Sequence, residues 1–124
     1  MSDLQTAIEA LKKATEGSRE LDYLIFEMME FGFGGTLMVV RDYTTSIDAA
    51  ETLWSTRDPL PKRTPYKALQ YWNGYAPGGV PYWRVKALSS NGNHVHQIAI
   101  GDHRSKPIAA CIASLRALKE DNNG

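Results

Sequence analysis

Cysteine is nearly missing from this sequence. Cys111 stands alone among 124 residues, which excludes an internal disulfide and leaves it no cysteine companion for binding a metal. It is expected as a small buried core residue rather than a nucleophile. Long apolar runs are also missing, and no stretch approaches the ~20 residues that a membrane span needs. No membrane association is expected. The opening "MSDLQTAIEALKKATEG" has no basic stretch leading into an apolar one, so no secretory signal is read there and a cytoplasmic location is expected. Between 52 and 119 only Asp58 and Asp102 carry a carboxylate, too few for two-carboxylate chemistry without help from the N-terminal segments. No Gly-x-Ser-x-Gly elbow surrounds Ser46, Ser89, Ser90, Ser105 or Ser114. The glycines of "FGFGG" at 31–35 lack the Gly-Lys-Ser/Thr ending of a phosphate loop. Neither an enzyme nor a bound cofactor is expected.

What is present fits one globular domain over 1–124, with an ordered core over about 2–119 and a frayed tail at 120–124. Hydrophobic residues make up 43% and charged residues 23% of the chain, inside the ordinary globular range. The net charge is zero, yet its distribution is lopsided. Residues 1–51 hold ten acidic and four basic side chains, and residues 52–124 hold four acidic and ten basic. Either the two halves lie against each other, within a subunit or between subunits of a homo-oligomer, or the basic half meets an anionic ligand.

Leu4, Ala7, Ile8, Leu11 and Ala14 recur at helical spacing behind a Ser2 to Gln5 capping box, and Gly17 marks the expected stop. Ser18 then caps a second helix with the stripe Leu21, Leu24, Ile25 and Met28. "TLMVVRDY" at 36–43 predicts an extended connection or edge strand. In "YTTSIDAAETLW" at 43–54, Thr45 stands three residues before Asp48 as the expected cap of a short helix, with Ser46 the alternative if the boundary shifts by one. Five of the six prolines fall between 57 and 81, which is loop-rich ground. Within and after it, "ALQYWNGY", "YWRVKAL" and "HVHQIAI" read as strands of an antiparallel meander, with Asn91-Gly92 a hairpin turn. "KPIAACIASLRALKE" is the last helix, its apolar face Ile108, Ile112 and Leu115 with Cys111 and Leu118 beside it. The expected fold is α+β, a three- to four-stranded meander with helices on both faces, in the order α-α-(β)-α-β-β-β-α.

Three blocks carry a resemblance: "GSRELD" at 17–22, "YTTSIDAAETL" at 43–53, and "GDHRSKPIAACIASLRAL" at 101–118 preceded by the tryptophan-bearing "YWRV". In this order they resemble the phage ABA sandwich domain, a family of small phage and prophage proteins with an α-β-α layered fold. The resemblance implies fold and phage context, and no catalytic residue or activity. It leads to the expectation of an accessory or anti-defence factor that binds a host or phage protein, such as a host nuclease complex, or sequesters a nucleotide signal in the host cytoplasm.

The candidate binding residues are basic and aromatic side chains interleaved from 57 to 86: Arg57, Lys62, Arg63, Tyr66, Lys67, Tyr71, Trp72, Tyr75, Tyr82, Trp83, Arg84 and Lys86. Aromatic faces stack on bases or anchor protein interfaces, while Arg and Lys neutralise phosphates or acidic side chains. The competing reading is that about half of these rings simply pack in the core. Whether the surface faces a protein, a nucleotide or a nucleic acid stays open at this point. A self-associating packing protein is the alternative, its acidic helices meeting the basic strand region of a neighbour. More distant is a metal-dependent enzyme built on His94 and His96 of one strand face with Asp102 and His103.

Overall fold

The structure, a computed structural model, describes residues 3–32, 40–54, 66–90 and 94–123. Its elements are α1 (Asp3–Lys13), α2 (Arg19–Gly32), α3 (Ile47–Glu51), β1 (Tyr66–Ala76), β2 (Val80–Ser90), β3 (Val95–His103) and α4 (Lys106–Asn123). The α+β class and the element order agree with the sequence reading. The strands form one antiparallel sheet in the order β1-β2-β3. Of the segment expected as a further strand, 36–39 lies outside the described residues, and 40–43 forms no strand. Likewise α4 runs on through Asn123, past the point where a frayed tail is expected.

The two strands β1 and β2 pair from Tyr66↔Ser90 to Ala76↔Val80, so three residues close the hairpin. Gly78 and Gly79 both take positive φ, 93° and 80°, a conformation that any side chain would strain. Side chains alternate across a strand, and the register therefore sorts the sheet into two faces. One carries Leu69, Tyr71, Trp83, Val85, Ala87, Ala99 and Gly101, and the other Gln70, Trp72, Arg84, Lys86, Ile100 and Asp102. A bulge between Ala87 and Leu88 shifts the β2-β3 register by one residue.

The apolar face of α4 packs on the first of these faces. Ile108, Ile112 and Leu115 are buried with Val85 and Ala87, each large side chain worth roughly 1.5–3 kcal/mol of burial. Close approach depends on small residues: a Cβ at Gly101 would run into the Ala109 carbonyl, the Ala113 nitrogen and the Ile112 side chain. Helices α1 and α3 pack against α4 in turn, and Ile8, Leu11, Ala50 and Trp54 join the same core. Cys111 is buried there as expected, its thiol donating to the Tyr43 carbonyl at 3.1 Å. Helices flank the sheet as expected, and β2 alternates the buried Val85 and Ala87 with the part-exposed Tyr82, Arg84 and Lys86.

The "GSRELD" and "YTTSID" blocks meet in a hydrogen-bonded knot. Asp22, only 2% exposed, accepts from the Thr44 backbone N–H at 2.9 Å and from its hydroxyl at 2.7 Å. Ser18 N–H donates to Thr44 Oγ1 at 3.0 Å, while Ser18 Oγ caps α2 by accepting from Leu21 N–H at 3.2 Å. Gly17 sits so close to this turn that a Cβ would strike the Thr44 carbonyl and the Thr45 methyl. Helix α1 thus ends at Lys13, ahead of the expected stop, and Gly17 serves packing instead. Ser46, and not Thr45, caps α3: it is extended at φ −127°, ψ 122°, and its side chain accepts from Ala49 N–H.

Candidate functional site

The strand register divides the candidate residues between the two faces of the sheet. Lys67, Tyr71 and Trp83 point toward the helices and make structural contacts. Lys67 Nζ lies 4.5 Å from the centre of the Trp54 ring, and Tyr71 donates its hydroxyl to Glu51 at 2.6 Å. Lys106 Nζ sits between the Tyr71 and Trp83 rings, 4.7 and 4.8 Å from their centres, a cation–π clamp between α4 and the sheet. Tyr75, 74% exposed, stands near the tip of the β1-β2 hairpin. Tyr66 pairs with Ser90 in the sheet, whereas Arg57, Lys62 and Arg63 lie outside the described residues.

The opposite face gathers Trp72, Tyr82, Arg84 and Lys86. Trp72 stands opposite Arg84, and Gln70 opposite Lys86, so the two cations and the indole are direct or diagonal neighbours at roughly 5–8 Å. The position of the indole has a local cause. A Cβ on Gly74 would collide with the six-membered part of the Trp72 ring, so the ring occupies the space of the missing side chain and lies over the strand. Tyr82 braces it edge-on, with ring centres 5.9 Å apart and planes at 67°. Trp72 nevertheless stays 53% exposed, which makes it an anchored aromatic facing solvent. Gln70, Tyr71, Trp72, Arg84 and Lys86 line a hollow of about 310 Å³, at the lower end of the range for small-molecule sites.

Arg84 is paired on this face. Its guanidinium donates to both oxygens of Asp102, at 2.8 and 3.3 Å, and this hydrogen bond and charge push the already high Arg84 pKa further up. Both partners remain about half exposed, so the pair is worth little to stability. Lys86 forms no ion pair among the described residues. Gln70 and Asp102 are polar members of this face that the sequence reading did not include in the binding surface, as is the apolar Ile100. Applying the strand period to the hairpin register would have found them.

The metal grouping does not assemble. Asp102 and His103 project from opposite faces of β3, and each has a partner. His103 Nδ1 accepts from Ser105 N–H at 2.9 Å, which leaves the proton on Nε2 to be donated to the Ala14 carbonyl at 2.6 Å. His94 and His96 are neighbours, with ring centres 6.1 Å apart. No group of three or more His, Cys, Asp or Glu side chains able to hold an ion exists among the described residues. Nor is Cys111 an activated thiol, because burial pushes its pKa well up.

No family model, curated protein or solved structure matches the chain. No helix among the described residues is long and apolar enough to cross a membrane.

Proposed function

We propose that this is a non-enzymatic binding protein that acts through the open sheet face of Gln70, Trp72, Tyr82, Arg84 and Lys86. One observation carries the reading: a tryptophan held in a fixed position by Gly74 and Tyr82 is left 53% exposed beside two cations. Tryptophan is the side chain most enriched among interface anchors, and burying Trp72 in a partner would recover the hydrophobic free energy that folding leaves unused. The resemblance of three sequence blocks to the phage ABA sandwich proteins supports a phage or prophage context. An accessory or anti-defence role in the host cytoplasm follows from that resemblance.

The experiment compares everything retained by the tagged protein from host cells, protein and nucleic acid alike, with that retained by the double variant Trp72→Ala, Lys86→Glu. Both substitutions lie on the exposed face, so the melting temperature should change by no more than a few degrees. Loss of the retained partner is the expected result. Equal retention by both proteins would move the site elsewhere.

A further inference from the structure

We infer that the occupant of this face is a single-stranded nucleic acid, with one base stacked on Trp72 and the adjoining phosphates on Lys86 and Arg84. The inference rests on the binding role proposed for the same face. The argument starts from shape. The indole fills the Gly74 position and lies over β1, so it presents a platform rather than a plug or a slot. A platform suits a planar base, which offers a π-face whatever its identity. Its neighbours match the rest of a nucleotide. Lys86 has no ion-pair partner among the described residues, Arg84 is about 40% exposed, and both reach solvent from the strand beside Trp72. The exposed Gln70 amide, opposite Lys86, offers both a donor and an acceptor to a base edge.

Charge favours the same occupant. Among the described residues the face holds two cations against the carboxylate of Asp102, while the acidic residues of the chain are concentrated in 1–51. Duplex fits poorly, because its bases are already stacked and cannot be laid on the indole without being unpaired. An acidic protein partner could satisfy the cations and bury the indole as well, but the exposed Gln70 amide and the flat ring beside two cations together match the base and phosphate of a nucleotide. Asp102 provides a sign test. It holds Arg84 at 2.8 and 3.3 Å and so competes with any phosphate for the guanidinium.

The test uses the full chain and fluorescein-labelled ten-nucleotide oligo(dT) and oligo(rA), with a duplex of the same length and free AMP as controls, read by anisotropy and by quenching of tryptophan fluorescence. Oligonucleotide binding should exceed binding of duplex and of AMP. Trp72→Ala should weaken it roughly tenfold or more, and Trp72→Phe much less, since stacking is retained. Lys86→Ala should lower the slope of log K against log salt by about 0.7, the share of one phosphate contact on a single strand. Asp102→Asn should tighten binding several-fold. Binding that is indifferent to Trp72, or a stronger preference for duplex, would overturn the inference, and AMP bound as tightly as the oligonucleotides would reduce the ligand to a free nucleotide. If no nucleic acid binds at low salt while Trp72→Ala, Lys86→Glu still abolishes capture of a cellular protein, this inference falls and the binding role of the face stands. If neither measurement responds to the variants, both fall.

Discussion

Asp22 shows how a residue with the look of chemistry is consumed by structure. Its carboxylate is buried at the junction of two loops and spends its lone pairs on the Thr44 N–H and hydroxyl at 2.9 and 2.7 Å, with Arg19 at 3.5 Å from its other oxygen. A buried carboxylate is tolerated only when it is satisfied in this way. Asp22→Ala therefore removes the acceptor and leaves the Thr44 N–H short of a partner, while the Thr44 hydroxyl can turn to the Ser18 carbonyl at 3.0 Å, at a cost of about 2 kcal/mol. Asp22→Asn keeps one acceptor oxygen and should cost roughly half as much. Urea denaturation of the two variants checks the order, and equal losses would show that the charge, rather than the geometry, holds the knot. Arg19 ties the same junction from outside, with its guanidinium 2.7 Å from Asp42 and 3.2 Å from the Val40 carbonyl. That contact is exposed and contributes little.

Among the elements, α3 is the shortest helix, and its position depends on its cap. Ser46 Oγ accepts from Ala49 N–H and its carbonyl from Ala50 N–H, while Thr45 stays in the preceding turn, exposed to solvent. Ser46→Ala should cost about 1 kcal/mol and Thr45→Ala only a few tenths, measured as shifts in the denaturation midpoint. The reverse order would restore the cap one residue earlier. The sequence left this choice open because a capping pattern fixes a boundary only to within a residue or two. Periodicity was legible wherever one face is buried: α1, α2 and α4 show their stripes, and β2 alternates cleanly. What was not legible was the partition of the aromatic residues. Tyr71, Trp72, Tyr82 and Trp83 look equivalent as letters, and only the pairing of Tyr71 with Val85 and of Trp72 with Arg84 puts one ring under α4 and its neighbour in solvent. Gly17 and Gly101 were equally opaque, since a glycine chosen for close approach leaves no local signal.

Over the whole molecule, the acidic and basic halves lie against each other, joined by apolar packing and by hydrogen bonds such as Tyr71 to Glu51, His103 to Ala14 and Lys119 to Gln5. Helix α4, from the basic half, is buried against α1 and α3 of the acidic half, whereas the ion pairs Lys12–Glu9, Arg19–Asp42 and Arg84–Asp102 each stay within one half. This shared core holds two groups that must remain neutral. Burial pushes the Cys111 thiol well up, with the charge of Asp22 adding to the effect, and desolvation also raises the pKa of Tyr43, whose hydroxyl has no partner among the described residues. In the unfolded chain the thiol titrates near its ordinary value of about 8.5. Above that pH the unfolded chain has released a proton that the folded chain keeps, so stability is fully present below about 8.5 and falls as pH rises, by up to about 1.4 kcal/mol per unit from the thiol alone. Tyr43 steepens the fall above about 10. Cys111→Ala loses some packing at pH 7, but its stability between pH 9 and 10 should decline less steeply than that of the wild type, by up to the same 1.4 kcal/mol per unit. Denaturant midpoints at pH 7, 8, 9 and 10 measure both slopes. If the two proteins lose stability in parallel, the thiol ionises as readily in the fold as out of it, and the core between α4 and Tyr43 is open to water.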